Sequence, residues 1–178
     1  MSASPAGARA ATRVRGLRAN SFAAVVILVV EYGLGIWVNL YGQLPASDRG
    51  ASIATGFARA IYQGPVGLSV HALLGVILIV SALTALVRAV LVRRPALVGA
   101  TAVGLVTVVM AALSGASFVG DGSNSSSMGM AVAGGVAVAA YALVLLLSAG
   151  IAVSSRPKAR YRWRPRRSWR ARPAGPWN

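Results

Sequence analysis

Four stretches of this chain stay apolar for longer than the roughly 18 residues that argue for a membrane-spanning helix. They run from about Ala19 to Tyr41, Val66 to Val92, Ala96 to Val119 and Met128 to Val153. Polar positions gather between them. "VRRPA" reads as a tight hairpin between the second and third spans, with Pro95 suited to the first turn of the third helix. "GDGSNSSS" reads as a flexible polar loop before the fourth. Only the connection at 42–65 has room for structure. There Ile53, Phe57 and Ile61 recur at four-residue spacing beside Ala60, which predicts a short interfacial helix acting as a lid on the bundle. The pattern therefore predicts an all-α membrane protein, a four-transmembrane-helix antiparallel bundle. Its parts are a basic N-terminal segment at 1–18, the membrane domain at 19–153 and an Arg/Trp-rich tail at 154–178.

Polar residues inside the spans interrupt this pattern. Glu31 sits near the middle of the first, where an ionised carboxylate costs ~2.5–3.5 kcal/mol on insertion scales and so normally faces the bundle interior and finds a partner. Glu31, Gly35 and Asn39 follow at i, i+4 and i+8 on one stripe, and Gly67, His71 and Gly75 repeat that spacing on the second span. With the centres of the predicted spans aligned, Asn39 and His71 become neighbours. Glu31 then falls on the order of 10 Å deeper than His71. Thr107 and Tyr141 share the depth of Glu31, so Tyr141, Thr107 or Ser81 is the expected partner of the carboxyl. Small residues on the last two spans, Gly115 on the third and Gly129, Gly135 and their alanine neighbours on the fourth, predict a close contact between those helices.

Composition narrows the classes. The 178 residues are 56% hydrophobic and contain no cysteine, which excludes disulfides, thiolate metal sites and thiol nucleophiles. Seventeen of the eighteen basic residues are arginine, a bias that fits a GC-rich bacterial genome. Four lie ahead of the first span, three in the "VRRPA" region and nine in the tail; only Arg49 and Arg59 fall on the other side. That asymmetry predicts both termini in the cytoplasm of a multi-pass bacterial plasma-membrane protein. The first apolar run continues past Glu31 without an A-x-A site behind it, so it reads as an uncleaved span rather than a signal peptide.

The tail interleaves Arg160, Arg162, Arg164, Arg166, Arg167 and Arg170 with Trp163 and Trp169. Its charge, its prolines and its lack of aliphatic residues predict disorder. Its cations and aromatic rings suit an anionic inner leaflet or a protein partner better than nucleic acid. A larger membrane complex or a homo-oligomer is compatible with such a tail. A single histidine cannot supply both axial ligands of a haem, and the thioethers of Met128 and Met130 with His71 are a weak copper set, so no cofactor is predicted. "SGAS" at 114–117 is no nucleophile elbow, and no enzyme is expected.

The run "VEYGLGIWVNLY", the single His71 opening the second span, and "GASF" followed by "SMGMAVA" resemble uncharacterised four-span integral membrane proteins of actinobacteria. The resemblance covers the membrane portion and implies no particular chemistry. Glu31 in a first short span also resembles the essential glutamate of small multidrug transporters, from which "EYGLGIW", the long outer loop and the basic tail depart. The leading expectation is a non-enzymatic accessory or assembly subunit. A proton-coupled small-molecule carrier using Glu31, and a redox subunit lending His71 to a haem or copper site, are the alternatives.

Overall fold

The computed structural model describes the backbone of residues 5–41 and 50–154 and the side chains of 7–41 and 50–151. Within these all the regular structure is helical: α1 Pro5–Tyr41, α2 Ile53–Tyr62, α3 Val66–Val92, α4 Pro95–Asp121 and α5 Asn124–Ser154. The tail expected to bind lipid lies outside the described residues. Four of the helices, α1 and α3 to α5, are long and apolar enough to cross a bilayer, and the protein is a polytopic membrane protein. α1, α3, α4 and α5 form a ring in that order, each against the next, with α4 and α5 the tightest pair as their small residues predict; α2 lies across one end on α3 and α4.

Local sequence explains the boundaries. α1 begins fourteen residues before the expected start of the first span, because 5–18 is rich in alanine and arginine, both strong helix formers, and extends a helix already nucleated by the apolar run. α3 ends on Arg93 in the left-handed region (φ 58), whose N–H returns to the carbonyls of Ala89 and Val90, and Pro95 opens α4 as expected. The turn before α5 is tighter than a flexible loop. Asp121 Oδ1 accepts from the Ser123 N–H at 2.8 Å, its Oδ2 accepts from the Ser126 hydroxyl at 3.0 Å, and Ser123 Oγ caps the Ser126 N–H. The serine run expected in the loop thus forms the first turn of α5.

The expected lid helix is present as α2. Ser52 caps it, Gly56 and Ala60 are buried beneath it, and the Ser69 hydroxyl ties its end to α3 by donating to the Ala60 and Gly64 carbonyls. Buried positions on α1 fall at Leu17, Ser21, Ala24, Leu28, Glu31, Gly35 and Val38. That alternation of four and three residues keeps one seam turned toward the partner helices.

Two apolar clusters fill the bundle. The larger contains Leu17, Leu28, Leu78, Leu97, Val108 and Tyr141; the smaller, under α2, contains Val38, Ala60, Leu68, Ala72 and Val119. The packing between them is interrupted. At that level the helices present Gly35, Gly75, Ala111, Ala112, Gly115 and Gly134, which have too little side chain to close the space.

Candidate functional site

The gap between the two clusters is a cavity of about 180 Å³ bounded by all five helices. Leu28, Leu78 and Val108 form its floor, and Phe57 and Ala60 of α2 its roof. Among the described residues its polar side chains are Glu31, Tyr32, Asn39, His71 and Ser127, and the remainder of the wall is apolar. Tyr32, Ile36 and Asn39 are exposed on the outer face of α1 while also lining the space. The cavity therefore opens to the protein surface beside α1.

Glu31 is 8% exposed and its Oε2 pairs with His71 Nδ1 across the α1–α3 seam. Its second oxygen, Oε1, is buried without a hydrogen-bond partner among the described residues. The His71 ring lies over Gly35: a Cβ there would stand 3.5 Å from His71 Cε1 and 3.8 Å from Met130 Cε. The pair can exist as carboxylate and imidazolium or as carboxylic acid and imidazole, and is neutral overall in both forms. It can pass a proton between its members without changing the charge of the cavity.

This pairing corrects the expected depths. Aligning the predicted spans placed Glu31 about 10 Å from the level of His71, but α1 starts at Pro5 rather than 19, which moves its midpoint by seven residues, also about 10 Å. With the midpoint of α1 so moved, Glu31 and His71 fall at the same level. The same register puts Asn20 Nδ2 2.8 Å from the Ser81 carbonyl it donates to, and the Arg13 guanidinium 3.2 Å from the Leu91 carbonyl.

The other expected partners of Glu31 are elsewhere. The Thr107 hydroxyl donates to the Val103 and Gly104 carbonyls of its own helix, at 2.9 and 3.1 Å. Ser81 is engaged by Asn20. Tyr141 is fully buried over Gly104, where a Cβ would lie 2.8 Å from two ring carbons, and its hydroxyl has no partner among the described residues. On α5, Gly134 is the residue beside Tyr32, so Tyr141 is two turns further along. Asn39 is exposed on the cavity rim and no hydrogen bond joins it to His71, because eight residues advance a helix by about 80° beyond two full turns.

Of the expected packing glycines, Gly67 faces Trp37 and Gly115 faces Met130 at 3.2 Å from the Sδ. Gly75 and Gly135 have open space where a Cβ would be, the former in the cavity wall and the latter on the exposed side of α5. Met128 is 66% exposed and so shares no site with His71, whereas Met130 does line the cavity. No cluster of three or more histidine, aspartate or glutamate side chains able to hold a metal occurs among the described residues.

Sequence reasoning missed two features. One is the Asn20–Ser81 pair; the other is Tyr32 and Ile36 at the rim. A signal for the first exists: Asn20 and Glu31 are eleven residues apart on α1, and His71 and Ser81 ten apart on α3, which fits two polar pairs in one antiparallel register. No protein-family model, curated protein or solved structure matches this chain, so its function is argued from its own residues.

Proposed function

We propose that this is a non-enzymatic membrane carrier, proton-linked at Glu31 and His71, for a small molecule that reaches the cavity from within the bilayer. One observation carries the reading: a buried carboxylate oxygen without a hydrogen-bond partner lies on the wall of a cavity that opens to the protein surface beside α1. Buried acceptors are normally satisfied, and an unsatisfied one costs about 1–3 kcal/mol, more for a charged group. A proton and a ligand donor compete for that same oxygen, which links occupancy to protonation. Glu31, His71 and Tyr32 are the titratable groups on the cavity wall among the described residues. The test is infrared difference spectroscopy on the protein in nanodiscs as bulk pH is cycled, comparing wild type with Glu31→Gln. A carboxyl band that follows bulk pH and is lost in the variant supports the carrier; a band indifferent to pH removes it.

A second reading, the accessory or assembly subunit, draws on the opposite end of the molecule. Arg9, Arg13, Arg15 and Arg18 on α1 meet the α3–α4 turn with Arg88, Arg93 and Arg94, and none of the chain's three acidic residues lies in those segments. By the asymmetry of arginine this end faces the cytoplasm of a bacterial plasma membrane, on anionic lipid or a partner. A single cysteine introduced at Arg94 is then labelled by an impermeant reagent only from the cytoplasmic side.

A further inference from the structure

We infer that the ligand of the cavity is a compact, neutral, mainly apolar molecule carrying one hydrogen-bond donor, of the size and chemistry of benzyl alcohol. The inference rests on the carrier reading of the same cavity and adds what the cavity selects. Size comes first. A dry protein cavity of about 150 Å³ holds benzene, and a water-sized group takes about 30 Å³. The 180 Å³ here therefore admits a single ring with one small substituent.

Polarity follows from the wall. The floor of the cavity is alkyl, from Leu28, Leu78 and Val108, so a second polar group placed against it would be buried without a partner. Glu31 Oε1 is an acceptor in want of one donor. Charge decides the rest. When its two members share one proton the Glu31–His71 pair is neutral overall, and neither a described arginine nor Asp121 lines the cavity. A bound cation would leave a net charge in a low-dielectric space, and an anion would in addition face the carboxylate. A neutral O–H satisfies Oε1 and adds no charge. Access suits the same class, because the rim carries the exposed apolar side chain of Ile36 and the exposed ring of Tyr32.

Three molecules of the same heavy-atom count separate these terms: ethylbenzene, benzyl alcohol and benzylammonium. Each is measured by equilibrium dialysis at neutral pH against the full chain in nanodiscs, with uptake by empty nanodiscs of the same lipid subtracted. Benzyl alcohol is expected to bind saturably at one per chain, at least about tenfold more tightly than ethylbenzene, the scale of a hydrogen bond to a charged group. Benzylammonium is expected to bind more weakly than the alcohol. Gly75→Leu, which places a side chain into the cavity where nothing stands within 4 Å, abolishes this binding, while Gly135→Leu, on the exposed side of α5, leaves it unchanged. Tighter binding of benzylammonium, or equal binding of ethylbenzene, overturns the ligand class and leaves the cavity as a binding site. No saturable binding of any probe, or binding that survives Gly75→Leu in a folded protein, overturns the carrier reading with it.

Discussion

Glu31 and His71 each lose their counterpart if the other is truncated, and a buried charge without its partner is costly: breaking such pairs removes about 3–5 kcal/mol. His71→Ala is therefore expected to destabilise the protein by about 3 kcal/mol in reversible unfolding in micelles. Adding Glu31→Gln to that variant recovers at least about 1 kcal/mol, because the stranded carboxyl is gone; a double variant as weak as or weaker than the single one would show that a stranded carboxyl is not what destabilises His71→Ala. Tyr141 presents the opposite case. Its hydroxyl is buried without a partner among the described residues, so Tyr141→Phe should raise stability by about 1 kcal/mol. Gly104→Ala drives a methyl against the Tyr141 ring and should lower it by about 1–3 kcal/mol. Thermal scans of the two variants side by side separate these opposite signs.

At the scale of helices the register between α1 and α3 decides whether a site exists. Because the chain has no cysteine, an introduced pair reports on it without background. Asn20→Cys with Ser81→Cys should form a disulfide on mild oxidation, since Asn20 reaches Ser81 in the bundle. Asn39→Cys with His71→Cys should remain reduced; crosslinking of that second pair in preference to the first would mean the helices slide by two turns. The apolar lengths of the spans made four crossings legible in sequence, because burial against lipid imposes a long unbroken pattern; the four-residue spacing of Ile53, Phe57 and Ile61 marked the short helix, and small residues marked the α4–α5 contact. Register was not legible from the same lengths. Where a span begins says nothing of where its helix begins: hydropathy rises at Ala19, yet the alanines and arginines before it continue α1 without a break in the helix. Glu31, Gly35 and His71 could thus be named as inward-facing while their mutual pairing could not. Tyr141 and Thr107 were misplaced for the same reason.

The molecule as a whole is electrically lopsided, with seven described arginines at one end and the lid at the other. Anionic phospholipid in the nanodisc should raise the melting temperature relative to zwitterionic lipid, and added salt should shrink the difference, since exposed charges are screened within about 8–10 Å at physiological salt. An identical melting temperature in both lipids would remove lipid adhesion from the arginines' roles. The pairing of Glu31 with His71 also has a consequence in time. Forty residues separate the two along the chain. At a synthesis rate of about 5–20 residues per second, the glutamate is made about 2–8 s before its histidine. Throughout that interval the newborn first span holds an acid with no imidazole to meet it. A chain whose synthesis stops between residues 42 and 65 therefore carries Glu31 in its first span without the imidazole that pairs with it.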